Sequence, residues 1–170
     1  MERHEGGCLC GAIRYETAGA PIRVTICHCR YCQRATGAGF MINANFTQAA
    51  HRVTKGAPRV HDHRSEGSGK ILHVHFCPDC GTKLHMTFER APGYVGIYAG
   101  TFDAPGWIAL DPVTSKQIFL DSARPDAVIL PAIRAFAAHE MTNDGTPCVA
   151  HVFDAPVTVA QGWPPEQAMR

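Results

Sequence analysis

Three cysteines lie close together in the segment ICHCRYCQR, at Cys27, Cys29 and Cys32. The spacing C-x-C-x-x-C allows all three thiols to reach one metal ion. A structural zinc site takes four protein ligands, whereas a catalytic zinc keeps three and leaves one position for water or substrate. The trio therefore predicts an open zinc site, at which a soft thiol or a carbonyl oxygen could become the fourth ligand.

Three other interpretations of this trio stay open. His28 could complete a closed site, although adjacent residues on a strand point to opposite faces. Cys148, or another histidine from residues 124–170, could supply the missing ligand. Cys29 and Cys32 could instead form a metal-free, redox-active C-x-x-C pair.

Four further cysteines form two pairs, which lie far apart in the sequence: Cys8, Cys10, Cys77 and Cys80. The second pair is typical of a tight turn that aims two sulfurs at one point, and Gly81 can take the positive φ that such a turn needs. Together the pairs predict a closed, structural zinc site whose binding energy contributes to folding. An iron–sulfur cluster or disulfides are the alternatives, and disulfides are disfavoured in a reducing compartment.

Short strands between turn signals must position these cysteines. Over residues 6–122 apolar and polar residues alternate, as in GKILHVHF, where Leu72, Val74 and Phe76 share one face. The 16 Gly and 12 Pro fall mostly between such stretches and leave little room for long helices. A short helical turn is expected after Cys29. The sequence therefore predicts a mainly β fold.

The last part of the chain shows a different pattern. In RPDAVILPAIRAFAAHE, residues 124–140, the apolar residues Ile129, Ile133 and Phe136 recur at helical spacing, which predicts a C-terminal helix. Two strands, CVAHVF and PVTVA, are expected after it. We therefore expect a zinc-binding domain at 1–123 and an appendage at 124–170 that packs on the same domain, because so short a segment buries little alone.

The overall composition narrows the class of protein. A hydrophobic content of 45% and a charged content of 18% are typical of a soluble globular domain. The net charge of +1 gives no strong field for a nucleic acid, and there is no apolar run of about eighteen residues to span a membrane. The polar start MERHEGG does not resemble a signal peptide, so a cytoplasmic location is expected.

Three sequence blocks resemble a known family. GGCLCGAIRYE at 6–16, CHCRYCQRATGAGF at 27–40 and FCPDCGTKL at 76–84 are similar, in order and spacing, to the glutathione-dependent formaldehyde-activating enzymes, which include relatives of centromere protein V. The resemblance implies a β-tent zinc fold of small stacked antiparallel sheets. It also implies two zinc ions per chain, one structural and one catalytic. The structural ion would be held by Cys8, Cys10, Cys77 and Cys80, and the catalytic ion by Cys27, Cys29 and Cys32.

The resemblance also implies a reaction. Members of the family condense glutathione with formaldehyde to S-hydroxymethylglutathione, which makes them carbon–sulfur lyases. We therefore expect a glutathione-like thiol and a small aldehyde as substrates. The chain departs from the family pattern in SKQIFLDSA, where Gln117 stands in place of a frequent histidine.

Candidate substrate contacts follow from the charge of glutathione, which carries two carboxylates. Guanidinium groups suit carboxylates, so Arg34, Arg14 and Arg30, near the cysteine blocks, are candidates to bind them, and Phe40 is a candidate to wall the pocket. Solvated surface arginines and a core phenylalanine are the alternatives. For the whole protein, a non-catalytic zinc module for a protein partner and a thiol redox sensor stay open. The predicted helix over 124–140 could be a lid, a core element or a homodimer interface.

Overall fold

The computed structural model describes residues 2–164, which form short β-strands and two short helices. The helices are α1 (Arg30–Thr36) and α2 (Val159–Gly162). The strands are β1 (Arg3–Gly7), β2 (Arg14–Ala18), β3 (Arg23–Cys27), β4 (Met41–Thr47), β5 (His51–Lys55), β6 (Arg59–Arg64), β7 (Ile71–Phe76), β8 (Lys83–Phe88), β9 (Tyr94–Tyr98), β10 (Ser115–Ile118), β11 (Val128–Ile129), β12 (Arg134–Ala135) and β13 (Val157–Thr158). Among residues 2–164, no helix combines the length and the apolar character that a membrane crossing requires.

The chain divides into two compact units, each built from two separate stretches of sequence. The first unit comprises the residues up to 23 together with 43–109, and the second comprises 24–42 together with the residues from 110 onward. The predicted boundary between residues 123 and 124 stays a prediction, and the compact units divide the chain at other positions.

Antiparallel sheets make up the first unit. One sheet has the order β1-β2-β5, and in the other the strands β4-β9-β8-β7-β6 are neighbours in that order. Alternate residues of β4 and β9 meet in one apolar core, as the predicted period of two requires. That core also contains two of the predicted metal ligands, Cys8 and Cys77, beside side chains such as Tyr15, Phe46 and Leu84.

A parallel sheet organises the second unit. Strand β10 lies between β3 and β12 and pairs in parallel with both, so that Ile118 is opposite Cys27 and Lys116 is opposite Arg134. Antiparallel pairing was expected, and the two pairings of β10 are parallel instead. A separate antiparallel pair, β11 with β13, packs with the nearby apolar residues Leu120, Ile129 and Ala135 in a second core.

The helix predicted over 124–140 is wrong. This segment contains the two short strands β11 and β12, joined by a turn in which Ala132 has φ 61. Pro131 explains the difference, because it lacks an N–H and its ring would clash with the carbonyl four residues earlier in a helix. The apolar residues at helical spacing, Ile129, Ile133 and Phe136, are nevertheless buried.

The mainly β fold with small sheets is confirmed, and the chain has a C-terminal helix, although not in the segment predicted for it. That helix is α2, which starts with a capping box formed by Thr158 and Gln161. Of the two strands expected in the last part, PVTVA contains β13, whereas CVAHVF forms only a single bridge, between His151 and Ala135. The predicted helical turn after Cys29 is α1, which ends at Gly37.

Candidate metal centres and an arginine-lined cavity

Two tight turns of the first unit bring four cysteines together. The turn between β1 and β2 carries Cys8 and Cys10, and the turn between β7 and β8 carries Cys77 and Cys80. The second turn is closed by the amide of Gly81, which has φ 74 and donates to the carbonyl of Cys77 at 2.9 Å. A residue with a Cβ would be strained at that φ, so the glycine fits the turn.

The four sulfurs are spaced as a tetrahedral metal site requires. All four Sγ atoms lie within 4.8 Å of one another. The Sγ of Cys10 is 3.5 Å from that of Cys8 and 3.7 Å from that of Cys77. A metal–sulfur distance of about 2.3 Å in a tetrahedron gives sulfur–sulfur edges of about 3.8 Å. The residues present therefore fit a four-thiolate metal ion.

Hydrogen-bond donors surround these sulfurs. The amide of Ile13 donates to Cys8 Sγ at 3.2 Å, and the hydroxyl of Thr82 lies 3.1 Å from Cys80 Sγ. The hydroxyl of Thr82, followed by backbone amides, lowers the pKa of the Cys80 thiol to about 5. Donors aimed at sulfur stabilise the thiolate, which is the form that binds a metal.

The trio forms at the junction of β3 and α1 in the second unit. Cys27 ends β3, Cys29 is the N-cap of α1, and Cys32 lies in its first turn, with its amide 3.4 Å from Cys29 Sγ. The three Sγ atoms lie within 4.8 Å of one another. Cys27 and Cys32 are buried, whereas Cys29 is partly exposed. The group can therefore hold a metal ion and keep a side toward solvent.

The three thiols of the trio differ in pKa. Hydrogen bonds from the thiols of Cys27 and Cys32 lower the pKa of Cys29 to about 3. The contact with Cys29 raises the pKa of Cys27, and the contacts with Cys27 and then Cys29 raise the pKa of Cys32. Without a metal ion, Cys29 is therefore the thiol of the group that loses its proton most readily.

Neither proposed fourth ligand joins the trio. His28 is 1% exposed, its ring centre lies 5.5 Å from that of Phe40, and it is absent from the set of converging ligand atoms. Burial lowers the pKa of His28 to about 4, so its imidazole is neutral at pH 7. Cys148 is also outside this set. Among the ligand atoms of the described residues, three thiols converge here.

A cavity of about 380 Å³ lies on α1 and the loop after it. Its lining comprises Arg30, Gln33, Arg34, Gly37, Ala38, Gly39 and Arg124. Arg30 and Arg34 are one helical turn apart and flank Cys32 in the sequence, so both project from the same side of α1. The helix that carries one cysteine of the trio therefore also carries two arginines of the cavity.

The other two predicted substrate contacts lie elsewhere. Arg14 belongs to the first unit, where its guanidinium donates to both carboxylate oxygens of Asp103, with Nη1 2.9 Å from Oδ1. Phe40 is 42% exposed and is not among the residues that line the cavity. The substrate-binding roles of Arg14 and Phe40 stay predictions.

Gln117, which departs from the family pattern, has a structural role here. It is fully buried in β10. With its amide oriented by its partners, it donates to the carbonyl of Val128 at 3.3 Å and accepts from the amide of Leu130 at 2.9 Å. Gln117 therefore binds the backbone of β11 and the residue after it, a part of the chain beyond the three family-like blocks.

Sequence reasoning missed two groups of residues. Arg124 lines the cavity, but it is far along the chain from the cysteines, so no spacing signal connects them. Three histidines of the first unit lie together: the ring of His85 stacks on that of His75 with centres 4.2 Å apart, and it contacts the tilted ring of His51 at 4.4 Å. His75 and His85 are opposite each other in the pairing of β7 with β8, a signal that needs the strand register.

The sequence of this chain is similar to that of known proteins. A sequence model described as "Glutathione-dependent formaldehyde-activating enzyme" matches residues 3–122. A Halomonas elongata protein that is assigned by name to these enzymes is 31% identical over 104 residues, which are 59% of this chain. The match spans 66% of that relative, slightly under two thirds of its length. A crystal structure of a Rhodobacter sphaeroides protein is similar to this chain with a TM-score of 0.48 and 22% identity, covering 58% of this chain and 87% of that one.

Proposed function

Because this chain belongs to the glutathione-dependent formaldehyde-activating enzyme family, we propose that it adds a thiol, in the first place glutathione, to a small aldehyde such as formaldehyde. The enzyme class would be that of the carbon–sulfur lyases, like S-(hydroxymethyl)glutathione synthase. One observation carries the proposal: three thiols, one short of a closed tetrahedron, converge with Cys29 partly exposed.

The two cysteine groups would have different tasks. The closed set of four would hold a structural zinc, since it already has the ligand number and spacing for one. The trio would hold the second zinc and leave a position for the substrate. A zinc ion bound there would lower the pKa of a thiol that reaches it and so supply a thiolate at neutral pH.

The chain's own residues would bind and orient the substrates. Arg30 and Arg34 are exposed at the cavity and offer guanidinium donors for the carboxylates of glutathione. Fixing the carboxylates on α1 would hold the thiol near Cys29, which lies just before that helix. Keeping thiol and aldehyde together raises the rate by proximity. Burial of Cys27 and Cys32 limits the access of water to the inner side of the trio.

The reaction needs no oxidant. The sulfur forms a bond to the carbonyl carbon, the carbon–oxygen double bond becomes single, and the proton of the thiol ends on the oxygen. The product is a hemithioacetal, and the reverse reaction releases the aldehyde. The neutral imidazole of His28 has no place in this scheme, because it is buried away from the converging sulfurs.

Native mass spectrometry of the freshly purified, reduced protein tests the proposal. We expect two zinc ions per chain and a glutathione adduct that disappears in Cys29→Ser. Cys148→Ser is the matched control, because Cys148 is outside both cysteine groups and should keep both metals and the adduct. One zinc per chain, or an adduct that survives in Cys29→Ser, would contradict an open thiol-binding trio.

Activity is measured separately, because thiols add to formaldehyde without a catalyst. Exchange between free formaldehyde and S-hydroxymethylglutathione can be followed by magnetisation transfer with carbon-13-labelled formaldehyde. The wild-type chain and Cys148→Ser should accelerate this exchange, and Cys29→Ser should not. Equal exchange rates with and without the wild-type protein would favour a protein that binds the adduct over an enzyme.

A further inference from the structure

We propose that Arg124 determines substrate specificity. It would bind a second negatively charged group of the thiol substrate in the cavity on α1. This inference rests on the proposed function. Arg124 lies beyond residues 3–122, the part of the chain that matches the family. The cavity would therefore differ from that of a chain that lacks this arginine.

One hydrogen bond ties the backbone beside Arg124 to α1, and the side-chain stem of Arg124 lies against Gly39. Gln33 is buried, and its Nε2 donates to the carbonyl of His28 at 2.6 Å and to that of Ser122 at 2.8 Å. One side chain of α1 thus binds both the loop of the trio and the residue two positions before Arg124. On the other side, a Cβ built on Gly39 would lie 3.1 Å from Cδ of Arg124. The stem of Arg124 therefore lies over Gly39, at the wall of the cavity.

The lining of the cavity is strongly positive. Three of its seven residues are arginines, and none is acidic. Among the described residues, Arg34 has no ion-pair or hydrogen-bond partner, and Arg30 donates to the uncharged amide oxygen of Gln33. Guanidinium groups in such an arrangement bind carboxylates or phosphates. A volume of about 380 Å³ is within the range of small-molecule sites.

Asp126 shows how a carboxylate is held by Arg124. Its two oxygens accept from Nε and Nη2 of Arg124 at 2.9 and 3.1 Å, a bidentate pairing. Both side chains are exposed, 61% for Arg124 and 69% for Asp126, so this pair is weak and easily opened. A carboxylate of the substrate would use the same two donors. Asp126 is therefore a competitor of the ligand, and removing its charge should tighten binding.

The test uses a ligand without a thiol, so that metal chemistry does not enter. S-Methylglutathione keeps both carboxylates of glutathione but has a blocked sulfur, and its dimethyl ester lacks the carboxylates. Isothermal titration calorimetry with the metal-loaded full chain at low salt gives the dissociation constant of each probe. The variants are Arg124→Ala, Arg124→Lys, Asp126→Asn and, as the matched control, Arg52→Ala. Arg52 is an equally exposed arginine paired with a carboxylate, that of Glu16, in the first unit.

We expect substitutions of Arg124 and Asp126 to change the affinity for S-methylglutathione in opposite directions. Arg124→Ala should weaken binding of S-methylglutathione about threefold to tenfold, and Arg124→Lys should restore part of it because a lysine keeps the charge but not the fork. Asp126→Asn should tighten binding about twofold to fivefold. Arg52→Ala should bind as the wild type does, and the ester should bind weakly to every variant.

Several results would overturn the inference. Unchanged affinity in Arg124→Ala, weaker binding in Asp126→Asn, an equal loss in Arg52→Ala, or no binding of the probe to the wild type would each do so. A merely structural role for Arg124 would not give tighter binding in Asp126→Asn. The two proposals fail separately. If the chain forms the glutathione adduct but these substitutions leave the affinity for the probe unchanged, only the role of Arg124 is refuted. If the substitutions change the affinity as expected but no adduct forms, only the open trio is refuted.

Discussion

Replacing His85 by phenylalanine should remove part of the acid sensitivity of the first unit. His85 lies in β8, is 4% exposed, stacks on His75 and faces His51. Its Nδ1 is buried without a hydrogen-bond partner among the described residues. Burial, and then the charges that His51 and His75 would carry, lower the pKa of His85 to about 3.

The sign and size of the effect follow from this pKa. The folded state holds His85 neutral, whereas the unfolded chain takes up a proton near its ordinary pKa of 6.5. The contribution to stability is therefore fully present above that value and is lost as the pH falls toward the folded pKa. Between pH 7 and pH 5, His85 takes up about 0.7 proton in the unfolded chain and almost none in the folded one, which lowers the free energy of unfolding by about 2 kcal/mol.

Urea unfolding of the wild type, His85→Phe and His61→Phe at pH 7, 6 and 5 measures this effect. His61 is an exposed histidine of β6 and serves as the control. The free energy of unfolding of His85→Phe should gain about 2 kcal/mol relative to the wild type over this range, and that of His61→Phe should follow the wild type. Protonation of the cysteines affects all three proteins equally and cancels in the difference. Parallel curves for His85→Phe and the wild type would refute the reasoning.

Three substitutions test other parts of the fold. Gln33→Leu removes the donor to two backbone carbonyls and should cost about 2 to 4 kcal/mol in urea unfolding. In Gly56→Ala, the new Cβ would lie 2.4 Å from the carbonyl oxygen of Ala12 at a φ of 72, so we expect a loss of about 1 to 3 kcal/mol and a lower melting temperature. Lys116→Met removes the buried cation that pairs with the carboxylate of Glu140 and should cost about 3 kcal/mol, part of which Glu140→Gln should recover in the double variant.

The cysteine groups were predictable because each depends on local spacing. C-x-C and C-x-x-C turns place their sulfurs together whatever the rest of the chain does, and the order of the blocks assigned them to two groups. The alternation of residues 71–76 likewise gave a strand at the right place. These features need no knowledge of the pairing between distant segments.

The missed features all depend on such pairing. The helix predicted over 124–140 was a coincidence of apolar spacing, which Pro131 and the contacts of β11 and β12 overrode. His75 and His85 meet only because β7 and β8 pair in one register. Arg124 reaches the cavity because Gln33 holds the carbonyl of Ser122, a contact between residues 89 positions apart.

The position of β10 has a consequence for chains that end where the family match ends. In the second unit, β10 has β3 on one edge and β12 on the other, and its four residues are buried. A chain trimmed after residue 122 would keep β3 but lose β12, which leaves one edge of the buried strand β10 without a partner strand. Such edges pair with strands of other molecules. We therefore expect the trimmed chain to self-associate. The segment after residue 122 would then also protect the protein from aggregation.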